Sequence, residues 1–574
     1  MKLHRKAGLV VAVAALAASA MYAVPTANAA NASWNGPAPA IKGAVSGGTL
    51  NILNQGDFEH IDPARNYVGG TLDFYRFFTR TLTQYRTING KTELVPDLAA
   101  DLGTTADGGL TWVFKLRTGL KYEDGTTVKC ADIKYSVQRS YNDDILDGGT
   151  TYAHDMLANP TGYKGPYTTP EKDLTSVSCN KAGDEITFEL ENPTPYWPYV
   201  TTFGAFSAVP KAKDTKQNYD LHPWSTGPYK VETYNRGKNL TLVRNKYWVA
   251  KTDPLRHNFP DKIVVKFGFE QNALEQQLVA DSGDARTGLS LDTQIITNLS
   301  KVVGSAKYKS RFFAFNSPYA RYLAINMDTV KDVNVRKAIQ CAIDLKTVLL
   351  AAGGTAAGAY ANSLIPSNVN PAYRNFNICG RDVHKTPAAQ VAAAKALLAK
   401  ATDKKLDLTL AYRDKGVEPQ RAEAAQQALQ AVGFKVTMQK LPRAGYYTAV
   451  GKRGVDTEPD IVQTSWGFDW PAASGIVYAL LDGRTMTAID AHSNYSRQNV
   501  PAIQAMFVKA DETVNTAAQE KLLGDIEQKL IVDYAAVVPT YIETSNFMAG
   551  SKLGGVQADG GYGTISPLYA YIKK

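Results

Sequence analysis

Two hydrophobic periods run along this chain. Apolar and polar residues alternate, as in half-buried strands, at 47–54 (GGTLNILN) and at 111–117 (TWVFKLR), where Trp112, Phe114 and Leu116 share a face. The same alternation marks 184–195 (DEITFELENPTP, stopped by its prolines) and 239–248 (NLTLVRNKYW), and 261–269 (DKIVVKFGF) reads as a buried-type strand. Helical spacing follows Asp132, the expected N-cap, with Ile133, Val137, Ser140 and Tyr141 on one side. A second helix covers 272–284 (NALEQQLVADSGD) and is expected to end at its glycine. Beyond residue 385 the texture changes. Thr386 caps and Pro387 opens an Ala-rich helix over 386–401. A strand at 406–412, a helix at 418–433 closed by Gly433 and a strand at 434–441 then make a βαβ unit, so a parallel sheet belongs in this half. A further strand covers 459–467 (PDIVQTSWG), and open α/β sheets bind ligands beyond the carboxyl ends of such strands.

The stretch at that carboxyl end, 464–474 (TSWGFDWPAAS), sets Asp469 among Trp466, Phe468 and Trp470. Were the strand to continue, the three rings would share one face and Asp469 would take the other, so a turn after Gly467 is needed to bring acid and rings together. Two roles compete for Asp469. It is a counter-charge for a bound cation, or it sits near the cap of a helix in 469–481 with Pro471 in the first turn or in a salt bridge between lobes.

Composition narrows the class. At 574 residues the chain is too long for one core and suggests roughly three or four domains. Lys2, Arg5 and Lys6, the apolar run 7–24 and the small-residue site Ala27-Asn28-Ala29 have the order of a secretory signal over 1–29. The alternative is an uncleaved anchor; cleavage fits the small-residue site better. The Pro/Gly/Ala-rich 30–46 reads as a flexible lead-in. Without the signal's three bases, 60 basic residues face 54 acidic ones, and the bases are dispersed, which argues against nucleic acid as a partner. The first cysteine is Cys130, so no cysteine near the signal is placed to carry a lipid, and the expected location is the periplasm or cell-wall space. No H-E-x-x-H, G-x-S-x-G, G-x-G-x-x-G or Walker A pattern occurs, no C-x-x-C occurs, and no histidine has a convincing metal-ligand neighbour. Because triads can be dispersed along a chain, these absences only lower the expectation of a hydrolase; no catalytic residue, metal or cofactor is assigned.

Several stretches, taken in order, resemble the family 5 extracellular solute-binding proteins of ABC importers, which include dipeptide- and oligopeptide-binding proteins. GGTLNI with Ile61-Asp62-Pro63-Ala64 resembles the family's opening strand and loop. Residues 94–139 resemble its signature, P-x-L-A, then dG-x-x-W-x-F-x-LR-x-G, then the Asp124–Gly125 turn and Ala131-Asp132 before a helix. STGPYK (225–230), RNKYW (244–248), YLAINMDTVKDVNVRKAIQCAID (322–344), Ile365-Pro366 and VVPTY (537–541) resemble later landmarks, so the ordered match spans nearly all of 48–574. Trp112–Arg117, the Asp124–Gly125 turn, Asn326 and Arg336 are expected to serve the fold, Arg336 by pairing with Asp344 or holding a loop.

The resemblance implies an α/β fold of the periplasmic-binding-protein type II kind: two lobes around a hinged cleft, with an extra subdomain in the first. It implies lobe I at 47–88, 206–305 and 541–574, the extra subdomain at 89–205 and lobe II at 306–540, with hinges near 303–310 and 538–545. Four cysteines allow three pairings; Cys130–Cys179 and Cys341–Cys379 are preferred because each pair then stays within one domain. In peptide-binding members a W-x-x-D segment supplies the aspartate that pairs with the peptide's α-ammonium, and Trp466-Gly467-Phe468-Asp469 has that spacing. The opposite lobe is expected to contribute from the loop 55–67 (QGDFEHIDPARNY), with Asp57, Phe58 and Glu59 as candidates, or with Asp57 only capping a turn. The implied function is delivery of a peptide or peptide-like amine to an ABC permease by a monomeric, non-catalytic binding protein. Rivals are a sugar oligomer stacked on Trp466 and Trp470, a metal chelate, or an exported hydrolase such as a peptidase.

Overall fold

The computed structural model describes residues 34–574 except 89–90, 143–144, 159–161, 368, 370, 380–386, 415 and 443–445. The signal-type segment 1–29, the start of the lead-in and the Thr386 cap lie outside the described residues.

Two mixed sheets organise the chain. The first has five strands in the order Gly288–Leu289, Thr49–Leu53, Lys262–Lys266, Asn239–Arg244, Tyr229–Asn235, with Thr49–Leu53 parallel to both of its neighbours. Lys262–Lys266 is central yet alternates, burying Ile263 and Val265 while Val264 stays half-exposed, so it is not the uniformly buried strand its composition suggests. Against this sheet pack a three-stranded sheet (Thr111–Lys115, Glu185–Glu189, Val177–Cys179) and the hairpin Thr83–Ile88/Lys91–Pro96, all sharing one hydrophobic core. The Asp124–Gly125 turn is tight. Gly125 has φ 87°, and a Cβ there would stand 2.9 Å from the Tyr247 ring, so glycine is required on both counts.

The second sheet runs Gly358–Tyr360, Val537–Met548, Phe312–Ile325, Ile461–Gly467, Asp407–Arg413, Lys435–Leu441. Its βαβ unit is as the pattern demands. Asp407–Arg413 and Lys435–Leu441 pair in parallel, joined by the helix Glu418–Val432, which ends at Gly433 with φ 114°. Period-2 alternation feeds two cores. Tyr322, Ala324, Ala411 and Val462 face one, while Leu323, Ile325, Leu410 and Ile461 face the other. The long antiparallel strands Phe312–Ile325 and Val537–Met548 carry the chain from this half into the other, where Phe312 and Met548 pack with Leu53, Leu274 and Leu278. Their register is interrupted between Asn316 and Ala320.

Local departures have local causes. The first long helix is Cys130–Ser140, with Lys129 as N-cap and Asp132 at its third position. The Asp132 carboxylate still accepts from the Lys129 N–H at 2.9 Å, so the capping bond survives one turn further in than expected. The helix Gln271–Ala280 ends at Asp281, which takes the left-handed conformation (φ 58°) two residues before Gly283. Cys130 is bonded to Cys179 and Cys341 to Cys379, with Cα separations of 6.0 and 5.7 Å. Arg336 does not meet Asp344. It donates to the carbonyls of Val330, Lys331 and Tyr534, and burial lowers its pKa to about 10, whereas Asp344 caps the helix Leu345–Ala351. Asn326 holds Glu458 and the Pro459 carbonyl, both at 3.1 Å.

Candidate functional site

The strand Ile461–Gly467 stops at Gly467 and the chain turns there. The following helix does not begin at Asp469. It runs Ser474–Leu481 with Ala473 as N-cap, and its free N–H groups at Ala473 and Ser474 donate to the buried Glu520. With its helix end satisfied by a residue 47 positions away, Asp469 has no capping role. Its carboxylate reaches into the other half of the molecule, where Oδ1 accepts from the Tyr67 hydroxyl and Oδ2 from the Tyr152 hydroxyl. No lysine, arginine or histidine among the described residues forms an ion pair with it. Burial raises the Asp469 pKa, the two hydroxyls lower it, and burial prevails.

The three rings around Asp469 divide. Phe468 is buried in the core of the six-stranded sheet while one side lines a cavity. Trp466 is half-buried on the same side, its Nε1–H donating to the Gly475 carbonyl at 3.0 Å. Trp470 crosses into the core of the five-stranded half. It stacks on Tyr196 (centroids 5.5 Å apart, 20° between planes), meets the edge of Tyr152 at 5.4 Å and donates to Ser474 Oγ at 2.9 Å. At 3% exposure Trp470 offers no face for a sugar, so the paired stacking platform of Trp466 and Trp470 is not formed. Such aromatic contacts add about 0.5–1.5 kcal/mol each beyond burial, and here they join the two halves.

Two cavities flank Asp469. The first, about 420 Å³, lies between Tyr319, Tyr447, Ser465–Asp469 and Tyr495 of one half and Tyr67, Leu72, Tyr75, Tyr85, Phe203 and Tyr562 of the other. The second, about 570 Å³, opens beyond Asp469 and Trp470 and is bounded by Tyr152, Asp155, Tyr196, Tyr478, Asp482, Arg484 and Asp511. Gly467 shapes the first. Tyr319 pairs across from it, and a Cβ at 467 would stand 2.6 Å from the Tyr319 ring, so only glycine lets that ring lie over the strand end.

Asp57, Phe58 and Glu59, the candidates in that loop, do not line either cavity. Asp57 accepts from the Tyr234 hydroxyl and the Gly237 N–H, both at 2.7 Å, and so pins a hairpin of its own sheet. The Phe58 ring is stacked on Phe74 at 4.6 Å in the core. Glu59 is exposed, and its carbonyl accepts from Arg236 at 3.0 Å. The loop does reach the site, but through its last residue, Tyr67. Tyr152, Phe203 and Tyr562 come from segments with no motif to mark them. A metal site is not indicated either: among the described residues no group of three His, Cys, Asp or Glu side chains is arranged to hold an ion.

Comparison with known proteins places the chain in a family. The family model for bacterial extracellular solute-binding proteins, family 5 (middle), matches residues 93–488, and the chain belongs to that family. Among curated relatives, it is 24% identical over 525 residues (89% of this chain, 91% of the relative) to the "Probable D,D-dipeptide-binding periplasmic protein DdpA" of Escherichia coli K12. It is also 24% identical over 476 residues (80% and 81%) to the periplasmic murein peptide-binding protein MppA of the same strain. Among solved structures, clavulanic acid biosynthesis oligopeptide binding protein 2 superposes with TM-score 0.83 at 27% identity, covering 92% of this chain and 96% of that one. The unliganded open form of MppA gives 0.74 at 20% identity, covering 93% and 99%. The fold is the two-lobe α/β fold of these binding proteins. No helix among the described residues is long and apolar enough to cross a membrane.

Proposed function

We propose that this protein is the extracytoplasmic receptor of an ABC import system, which closes its lobes on a peptide or peptide-like amine and delivers it chemically unchanged to a membrane permease. The observation that carries the reading is the Asp469 carboxylate, set at the wall of an aromatic cavity between the halves and held by two neutral hydroxyls instead of a cation. A carboxylate shielded from water binds an ammonium far better than one on a surface, and the surrounding rings present π-faces to the same charge. Trp466 and Phe468 line the ligand cavity; Trp470 locks the site from behind. The names of the relatives, which bind dipeptides, oligopeptides and murein peptides, support a peptide-like ligand. In this reading 1–29 is a cleaved signal and 30–46 a lead-in. Lobe I comprises 47–88, 206–305 and 541–574, with 89–205 as its extra subdomain, and lobe II comprises 306–540. The two crossing strands act as the hinge, the interrupted register at Asn316–Ala320 being the compliant point. The protein acts as a monomer outside the cytoplasmic membrane and catalyses nothing.

Incubation of the purified protein with a peptide mixture, followed by mass spectrometry of the retained and released fractions, tests this. The expected result is intact retained ligand. Cleaved products accumulating with time would establish a hydrolase instead.

The raised Asp469 pKa predicts a pH dependence. In the empty site the carboxyl holds its proton to a higher pH than an ordinary aspartate. An ammonium binds the ionised form, so as pH falls through that raised pKa the proton competes and amine affinity drops, approaching tenfold per pH unit below it. Calorimetric titrations from pH 7.5 down to pH 4 are expected to show the decline beginning above the usual carboxylate range, and Asp469→Asn to remove the dependence.

A further inference from the structure

The charge inventory of the cleft goes beyond recognition of one ammonium. In the first cavity Asp469 is the only formally charged side chain among the described lining residues. The second cavity brings Asp155, Asp469, Asp482 and Asp511 together with a single cation, Arg484. That guanidinium is already spent, donating to Asp482 at 2.6 and 3.0 Å and to Asp511 at 2.6 Å.

Other cations stand behind the cavity walls, and none of them is a described lining residue. Arg321, two residues after Tyr319 on the same strand, is bound by Glu543 and Glu418. Arg413 lies against the Tyr446 and Tyr447 rings, and its nearest carboxylate, Glu418 at 3.9 Å, is shared with Arg321 and Arg421. Arg76, 5.1 Å from the Tyr562 ring centre, is bound by Asp73 and Asp559.

A ligand carboxylate drawn into either cavity would therefore lose its water, find no unpaired cation among the described lining residues, and face Asp469 in the first cavity or the aspartates of the second. A cation meets the opposite: carboxylates and ring faces. We propose that this cleft selects amines with an apolar or aromatic body and no free carboxylate beside the cavity, such as amidated or otherwise carboxyl-blocked peptides, and discriminates against ordinary zwitterionic dipeptides. The inference rests on the reading that Asp469 takes the ligand's ammonium and adds which such ligands fit.

The test uses matched pairs of probes: a panel of aromatic dipeptides, tyrosyl-phenylalanine among them, and their C-terminal amides. Each is titrated calorimetrically into the full protein at pH 7, with the N-acetylated amides as a charge-free control. The expected result is at least tenfold tighter binding of the amide than of its free acid, loss of that binding on N-acetylation, and a similar loss in Asp469→Asn. Free acids that bind as tightly as their amides overturn the selectivity while leaving the ammonium reading in place. N-acetylated amides that bind as tightly as the free amines, or a panel in which no member binds, overturn both.

Discussion

Asp469→Asn is expected to weaken binding of a cationic amine by about 30-fold to a few thousandfold. That range corresponds to the roughly 2–5 kcal/mol lost when one partner of a desolvated charge pair is removed. Asparagine keeps the shape and an acceptor oxygen, so the loss reports charge and not packing. The unliganded variant should be no less stable than the parent. In the parent the acid is desolvated with only the Tyr67 and Tyr152 hydroxyls to compensate it, and burial raises its pKa, so its ionised form costs free energy that a neutral amide does not. Loss of affinity with a thermal midpoint unchanged or raised is the signature of a residue kept for binding at the expense of stability. Calorimetry with the wild-type ligand and a melting curve of the empty protein give both numbers. An affinity within about threefold of the parent would remove Asp469 from the site.

The same residue shows what the sequence could and could not reveal. The strand Ile461–Gly467, its position after a βαβ unit and the need for a turn at Gly467 follow from periodicity and steric rules that act within a few residues. Whether Asp469 caps the following helix did not, because that helix end is satisfied by Glu520 from another helix. Asp57, Phe58 and Glu59 lie away from both cavities for a related reason. An acid in the right loop is a plausible ligand until the chain places Tyr234 and Gly237 against it. The residues that do close the site, Tyr67, Tyr152, Phe203 and Tyr562, are ordinary aromatics, and their meeting is a product of tertiary structure alone. The helix ends behaved similarly. Where a local rule had one solution, as at Gly433, it was followed; where Asp281 in the left-handed conformation served as well as a glycine, it was used.

The scaffold holding those aromatics is expected to fail at one residue, Asp97. Its carboxylate lies fully buried between two arginines, accepting from Arg80 Nε at 2.7 Å and from Arg256 at 2.7 and 3.0 Å, while its carbonyl accepts from Arg80 at 2.7 Å. Asp253 is the other carboxylate of the group, 3.2 Å from Arg256 and 3.9 Å from Arg80. In Asp97→Ala two buried guanidiniums share one carboxylate. An uncompensated buried charge costs about 3–5 kcal/mol, well above a surface ion pair at about 0–1 kcal/mol. The effect reaches the site, because Arg256 also donates to the Arg76 carbonyl at 2.6 Å and Arg76 to the Tyr85 carbonyl at 2.6 Å. Those bonds pin the segment that carries Tyr75 and Tyr85 into the cavity. Urea unfolding followed by tryptophan fluorescence should show the full loss for Asp97→Ala and a smaller one for Asp97→Asn, which retains an acceptor. Ligand affinity of the folded fraction should fall alongside. If Asp97→Ala unfolds within about 1 kcal/mol of the parent, water or a rearranged Asp253 satisfies both arginines, and the network is not what fixes the floor of the cavity.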